Sequence, residues 1–140
     1  MPQEPEAPSF DEYVQRACEA DPRFQRDAYA FLRDALDFSV REKRRSQDTE
    51  DRHVSGPELL DGFRRLAINQ FGPMVPTVLE AWGVRSTDDI GDMVFNLIEI
   101  GAFGKNDSDS KRDFAAVYDF DDAFVKPFLP DKKKQRDARS

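Results

Sequence analysis

The sequence predicts a mostly α-helical fold, with about five helices packed into one compact domain. Apolar residues recur every three to four positions in five successive segments, which is the spacing of a buried helix face. Residues with helix-capping side chains precede most of these segments, and glycine or proline follows several of them. With 140 residues, 39% of them hydrophobic, the chain can bury one core without a disulfide or a metal.

The domain is expected to span residues 9–130. Residues 1–8 contain three prolines and no apolar periodicity, which predicts a disordered leader. Residues 131–140 hold five basic and two acidic residues, and we expect them to form a basic disordered tail. Because the tail carries +3 and the whole chain −7, residues 1–130 carry −10. Such an acidic body repels a phosphate backbone, which argues against general nucleic-acid binding.

The first two helices are predicted from their start signals. Ser9 opens the first helix with an acidic residue three positions later, as in a capping box, and this helix is expected to end near Asp21. Asp21 and Pro22 together resemble the start of the second helix, which we extend to about Arg41. Residues 41–53 contain no aliphatic side chain and mix five basic with four acidic residues, so a solvated loop is predicted there.

Capping residues also bound the next three helices. Ser55 begins the third helix with a second capping box, and that helix stops at Gly72. The fourth helix ends at Gly83, and the fifth begins after Ser86 and ends at Gly101. Nine residues on four helical stripes are predicted to form a shared core: Phe31, Leu32, Leu59, Phe63, Leu66, Leu79, Trp82, Val94 and Leu97.

Two interpretations of the C-terminal part stay open. Residues 102–105 and 115–120 look like short extended pieces on either side of a polar stretch, which would give a small C-terminal β-hairpin and a winged-helix-like domain. Otherwise the domain is helical throughout. In a winged helix the fifth helix, about 87–100, would be the recognition helix. Residues 86–104 contain four acids and no lysine or arginine, and only Asn96 suits base reading, so protein recognition is favoured over DNA.

Phe120, Phe124 and Phe128 recur at four-residue spacing near the end of the domain. They could form one helical face that docks to a partner, or the same face could pack back on the domain. We favour packing on the domain, because little chain separates the segment from the body.

Composition limits the chemistry. Cys18 is the only cysteine and His53 the only histidine, so a metal site built from these residue types lacks partners, and neither a metal nor a cofactor is predicted. No apolar run approaches the ~20 residues of a membrane span, and no signal peptide is recognisable. We therefore expect a cytoplasmic location and no membrane partner.

No residue is assigned a catalytic role. Six residues stand out as candidates for an interaction or a site: His53, Trp82, Arg85, Lys132, Lys133 and Lys134. Trp82 is expected mainly to fill the core, and Arg85 to bond the end of the fourth helix or an acid at Asp88 or Asp89. The three lysines belong to the basic tail.

Six short motifs carry a resemblance to a known family: His-Val-Ser-Gly at 53–56, Gln-Phe-Gly-Pro-Met at 70–74, Trp-Gly-Val-Arg at 82–85, Gly-Lys at 104–105, Tyr-Asp-Phe at 118–120 and Lys-Pro-Phe at 126–128. In this order they resemble an uncharacterised bacterial family of short conserved hypothetical proteins, of the planctomycete and verrucomicrobial type, over about residues 9–130. The resemblance implies a small cytoplasmic domain. It supplies no activity, cofactor or catalytic residue.

Three classes of function follow from these observations. The first is a non-catalytic protein-interaction or regulatory module with a protein partner, favoured because chemistry-bearing motifs are missing while aromatic residues are abundant. The second is a nucleic-acid- or ribosome-associated protein that uses the basic tail together with residues 41–45. The third is an enzyme with an unrecognised site near His53, the only histidine of the chain.

Overall fold

Five α-helices follow one another in the computed structural model, which describes residues 8–48, 50, 53–104 and 111–130. Their bounds are α1 Phe10–Ala20, α2 Arg26–Gln47, α3 Gly56–Phe71, α4 Val75–Trp82 and α5 Thr87–Glu99. The mostly helical fold with five helices is therefore confirmed. Residues 111–130 form what we call the C-terminal segment, which contains the short helical turns Lys111–Phe114, Asp121–Val125 and Lys126–Phe128.

The described residues contain no β-strand, so neither the C-terminal hairpin nor the winged helix is supported. Residues 115–120, predicted as a return strand, lie between two short helical turns and include Ala116 with φ +48°. Asn96 faces inward instead of reading bases. Its amide donates to Asp21 Oδ2 and to the Tyr29 hydroxyl, both at 3.0 Å.

The start of α2 differs from the prediction. α1 ends at Ala20 with Asp21 as its C-cap residue, and α2 begins at Arg26 after Gln25, which makes no side-chain cap. The Asp21 carboxylate instead accepts two hydrogen bonds from the Arg23 guanidinium, at 2.9 and 2.8 Å. An aspartate between two helices can cap the second helix or stabilise a turn. Here the hydrogen bonds to Arg23 hold Asp21 in the turn.

The end of α2 also lies beyond the predicted Arg41, because residues 41–47 continue the helix. Arginine, lysine and glutamate are strong helix formers, and cross-helix contacts to α3 hold this extension. Lys43 Nζ lies 3.3 Å from Glu58 Oε1, and an Arg65 guanidinium nitrogen lies 3.4 Å from Glu42 Oε2. The predicted solvated loop is thus much shorter than residues 41–53.

The remaining helix boundaries agree closely with prediction. Ser55 caps α3 with a complete capping box. Ser9 and Ser86 each accept a hydrogen bond from a backbone N–H three residues on, although Ser9 makes only half of its expected box. Gly83 ends α4 with φ +83°, and an added Cβ would lie 2.1 Å from the Arg23 carbonyl oxygen. Only glycine fits that position.

The core lies where α2 and α3 pack in antiparallel fashion and α1, α4, α5 and the C-terminal segment cover them. Eight of the nine predicted core residues are buried, and Trp82 is partly buried against them. Trp82 belongs to an aromatic group in which its ring lies 5.5 Å from Phe31 and 5.7 Å from Phe71. Its expected core role is consistent with this packing.

Candidate functional site

A cavity of about 280 Å³ opens where the start of α3 faces the end of α5. Most of the side chains that line it are apolar, and they come from α2, α3, α5 and the segments next to them: Leu36, Val54, Leu59, Val94, Phe95, Ile98, Ala102, Phe103 and Phe114. Gly56 and Gly104 complete the wall, and His53 and Ser55 are the only polar residue types among the described lining residues. We call this space the His53 cavity.

Ser55, which lines the His53 cavity, takes part in the cap of α3. Ser55 Oγ accepts from the Glu58 backbone N–H at 3.2 Å, and the Ser55 N–H donates to Glu58 Oε1 at 3.1 Å. Lys43 Nζ donates to the His53 carbonyl oxygen at 2.9 Å and also pairs with Glu58. Burial opposes ionisation of Glu58, yet the hydrogen bonds from Ser55 and Lys43 outweigh it and lower the pKa of this carboxyl.

Phe114 forms one wall of the cavity and fixes the C-terminal segment to the helices. Its ring meets Phe95 edge to face, with centroids 6.2 Å apart. It approaches the backbone of Gly91 so closely that a Cβ there would lie 2.6 Å from Phe114 Cβ. The backbone N–H of Val117 then donates to the Thr87 hydroxyl at 3.1 Å. The cavity therefore depends on the docking of the C-terminal segment.

Neither Cys18 nor Ser55 is placed as a free nucleophile in the His53 cavity. Cys18 lies on α1 at the junction with α2, where its thiol contacts the Phe24 carbonyl oxygen at 3.6 Å, and Cys18 is not among the residues that line the His53 cavity. Burial raises the pKa of the Cys18 thiol, which keeps it protonated and weakly nucleophilic. The Ser55 hydroxyl already serves as a helix cap. Among the described residues, no group of three or more His, Cys, Asp and Glu side chains could hold a metal ion.

The other predicted site residues lie elsewhere. Arg85 is exposed and lines a separate cleft of about 300 Å³ between α4 and the C-terminal segment. Its backbone N–H, and not its guanidinium, contacts Asp89, at 2.8 Å from Oδ2. Lys132, Lys133 and Lys134 lie outside the described residues, as do residues 1–7 of the predicted leader. Of the three candidates among the described residues, His53 and Arg85 line different spaces, and Trp82 lines neither of them.

A second polar cluster, which the sequence did not reveal, joins the α1–α2 turn to α5. Arg23 lies 2.8 Å from Asp21, 3.2 Å from Asp92 and 3.8 Å from Asp89, measured between guanidinium nitrogens and carboxylate oxygens. Hydrogen bonding to Arg23 lowers the pKa of Asp21, although burial opposes the shift. Burial raises the pKa of Tyr29 to about 12. These contacts fasten helices together, and we assign them a structural role.

Several residues of the His53 cavity were visible in the sequence only as helix stripe positions. Leu36 lies beside the apolar stripe of α2, and Val94 and Ile98 lie on the apolar stripe of α5. Periodicity shows that such residues face inward, but it does not show that the facing helices leave a gap between them.

Comparison with known proteins gives no further guide. No family model, curated protein or solved structure matches the chain. The resemblance over residues 9–130 therefore stays a prediction. No helix among the described residues is both long and apolar enough to cross a membrane.

Proposed function

We propose that this protein is a non-catalytic protein-interaction module whose His53 cavity binds one apolar side chain of a protein partner. The observation that carries this proposal is the set of described residues that line the cavity, of which nine have apolar side chains, two are glycines and two, His53 and Ser55, are polar. Burial of an apolar group in such a space is favourable, at about 25 cal/mol per Å² removed from water.

The size of the cavity suits an anchor residue. Sites for drug-sized molecules usually measure about 300–1,000 Å³, so a volume near the lower limit fits one large side chain such as Phe, Leu or Met. Protein interfaces often concentrate their binding energy in one such side chain inserted into a desolvated pocket. Phe95 and Phe103, which are partly buried, are aromatic lining residues that such a side chain could contact.

Gly104 allows the cavity to be blocked without disturbing the fold. An added Cβ at Gly104 meets no atom of the described residues within 4 Å, and the backbone there does not have the positive φ that disfavours other residues. Because Gly104 lines the cavity, we expect the ring of Gly104→Phe to reach the mouth of the cavity. Asn69→Phe adds the same ring on the exposed surface of α3, away from the cavity lining, and serves as the matched control.

The test is selection of peptides from a random library displayed on phage, with the full chain as target. We expect the selected peptides to share a large apolar residue, to bind the Asn69→Phe variant, and to lose binding to Gly104→Phe. Equal thermal stability of the two variants would show that both are folded. Peptides that bind Gly104→Phe as well as wild type would overturn the proposal.

A further inference from the structure

The exposed side of α2 next to the His53 cavity carries two arginines, Arg41 and Arg44, that form no ion pair with any described residue. Leu36, Val40 and Arg44 are spaced by four residues, and Arg41 lies beside them, so these side chains share one side of the helix. Leu36 lines both the His53 cavity and the surface depression formed with Asp37, Val40, Arg41 and Arg44. The cavity and this surface, which we call the arginine face, are therefore continuous.

The charges on the arginine face differ from those around it. Among the described residues, Lys43 pairs with Glu58 and Arg65 with Glu42, whereas neither Arg41 nor Arg44 has an ion-pair partner. The Arg41 guanidinium makes one long hydrogen bond, from Nε to the Asp37 carbonyl oxygen at 3.4 Å. Asp37 is the only acid among the described residues that line the depression, so the face carries +1 on an otherwise acidic protein.

We propose that the arginine face binds carboxylates of the same partner segment whose apolar residue enters the His53 cavity. This inference rests on the proposed function and adds the chemistry of the partner, an acidic peptide segment with an apolar anchor. Guanidinium groups bind carboxylates through two parallel hydrogen bonds, which gives arginine an advantage over lysine here. Leu36 and Val40 would contact the aliphatic part of the segment between its anchor and its acids.

Helix geometry sets the spacing in the partner. Arg41 and Arg44 lie five and eight residues beyond Leu36, which is about 7–12 Å along a helix that rises 1.5 Å per residue. An extended peptide advances about 3.3 Å per residue, so its acidic residue should lie about two to four positions from the apolar anchor. The −10 charge of residues 1–130 repels any polyanion, so a peptide that carries one or two carboxylates is favoured over nucleic acid, which carries a charge on every nucleotide.

The inference is tested by repeating the phage selection on Arg41→Glu/Arg44→Glu. The matched control is Arg16→Glu/Arg26→Glu, which reverses the same number of charges at exposed positions on α1 and at the start of α2. Wild type and the control should both select peptides with Asp or Glu two to four positions from the anchor. Peptides selected on the Arg41→Glu/Arg44→Glu variant should keep the apolar residue but show no preference for acidic residues. This variant should also bind a peptide that was selected on wild type at least about tenfold more weakly than wild type does.

Three outcomes would contradict the inference. The first is a set of wild-type peptides with an apolar anchor but no acidic enrichment, which would leave the proposed function intact. The second is an acidic preference that the Arg41/Arg44 variant retains. The third is tight binding of a fluorescent DNA oligonucleotide that this variant abolishes and the control keeps, which would assign the face to nucleic acid. Arg41→Gln/Arg44→Gln repeats the comparison should the glutamate variant unfold.

Discussion

Single residues decide how closely the C-terminal segment can approach the helices. At Gly91 an added Cβ would lie 2.6 Å from Phe114 Cβ, a distance that forces α5 and the segment apart. We expect Gly91→Ala to lower the free energy of unfolding by about 1–3 kcal/mol, despite the better helix propensity of alanine. Urea denaturation measures this, with Gly104→Ala as the control because the added Cβ meets no atom of the described residues within 4 Å. Equal midpoints for the two variants would show that the packing around Phe114 is looser than described.

Asp21 should make the stability depend on pH in a predictable direction. Hydrogen bonding to Arg23 holds the pKa of Asp21 below its ordinary value in the folded protein, against the opposing effect of burial, and Asn96 adds a further hydrogen bond. A lowered folded-state pKa gives stability that is fully present above the unfolded-state pKa of about 4 and is lost as the pH falls towards the folded-state value.

We therefore expect Asp21→Asn to be less stable than wild type near neutral pH, with the difference shrinking between about pH 5 and about pH 2. Urea unfolding across this range gives the difference directly. Asp34→Asn, at an exposed acid with no ion pair among the described residues, is the control and should show no such trend. A difference between wild type and Asp21→Asn that stays constant with pH would mean that the Arg23 contact does not stabilise the fold.

At the scale of elements, the C-terminal segment packs on the domain as the sequence analysis favoured. Phe124 is 1% exposed, and its ring meets Tyr118 and Phe120 at centroid distances of 6.0 and 5.2 Å. The Tyr118 hydroxyl donates to the Leu60 carbonyl oxygen at 2.9 Å. Phe128, expected to pack on the domain with Phe120 and Phe124, is 40% exposed. The π-helical turn Asp121–Val125 followed by a 3₁₀ turn changes the rotation per residue, so four-residue spacing no longer keeps Phe128 on the buried side.

This difference predicts unequal effects of the same substitution. Phe124→Ala should lower the free energy of unfolding by about 3–5 kcal/mol, because it leaves a cavity in the core. Phe128→Ala should cost less than about 1 kcal/mol, since much of its ring is already in water. Chemical denaturation of both variants measures the contrast. Comparable losses for the two would indicate that Phe128 packs on the domain as well.

Local sequence signals predicted the positions of the helices more accurately than they predicted the contacts between helices. The serine caps at Ser55 and Ser86 depend only on a side chain and a backbone group three residues away, so the sequence reveals them. The start of α2 depends on the contacts of Asp21 with Arg23 and with Asn96. Asp21 and Asn96 are 75 positions apart in the sequence. The length of α2 likewise depends on partners in α3. Such long-range contacts leave no periodic trace in the sequence, and the His53 cavity depends on them too.

At the scale of the whole molecule, charge limits the partners. With −10 on residues 1–130, the domain should repel a DNA duplex, and any binding by the full chain should come from the basic residues 131–140. We expect fluorescence anisotropy to show no tight binding of duplex DNA at physiological salt once residues 131–140 are deleted. Binding by the full chain should weaken steeply as salt is raised. Salt-resistant, sequence-specific binding by the shortened chain would contradict this expectation.

The central claim is that the His53 cavity binds an apolar anchor of a protein partner. Its most direct test is the dissociation constant of one phage-selected peptide for wild type, Gly104→Phe and Asn69→Phe, measured by isothermal titration calorimetry. Loss of an interface anchor typically costs at least about 2 kcal/mol, so Gly104→Phe should bind about thirtyfold more weakly or not at all, while Asn69→Phe should match wild type. Equal affinities of Gly104→Phe and wild type would contradict the claim.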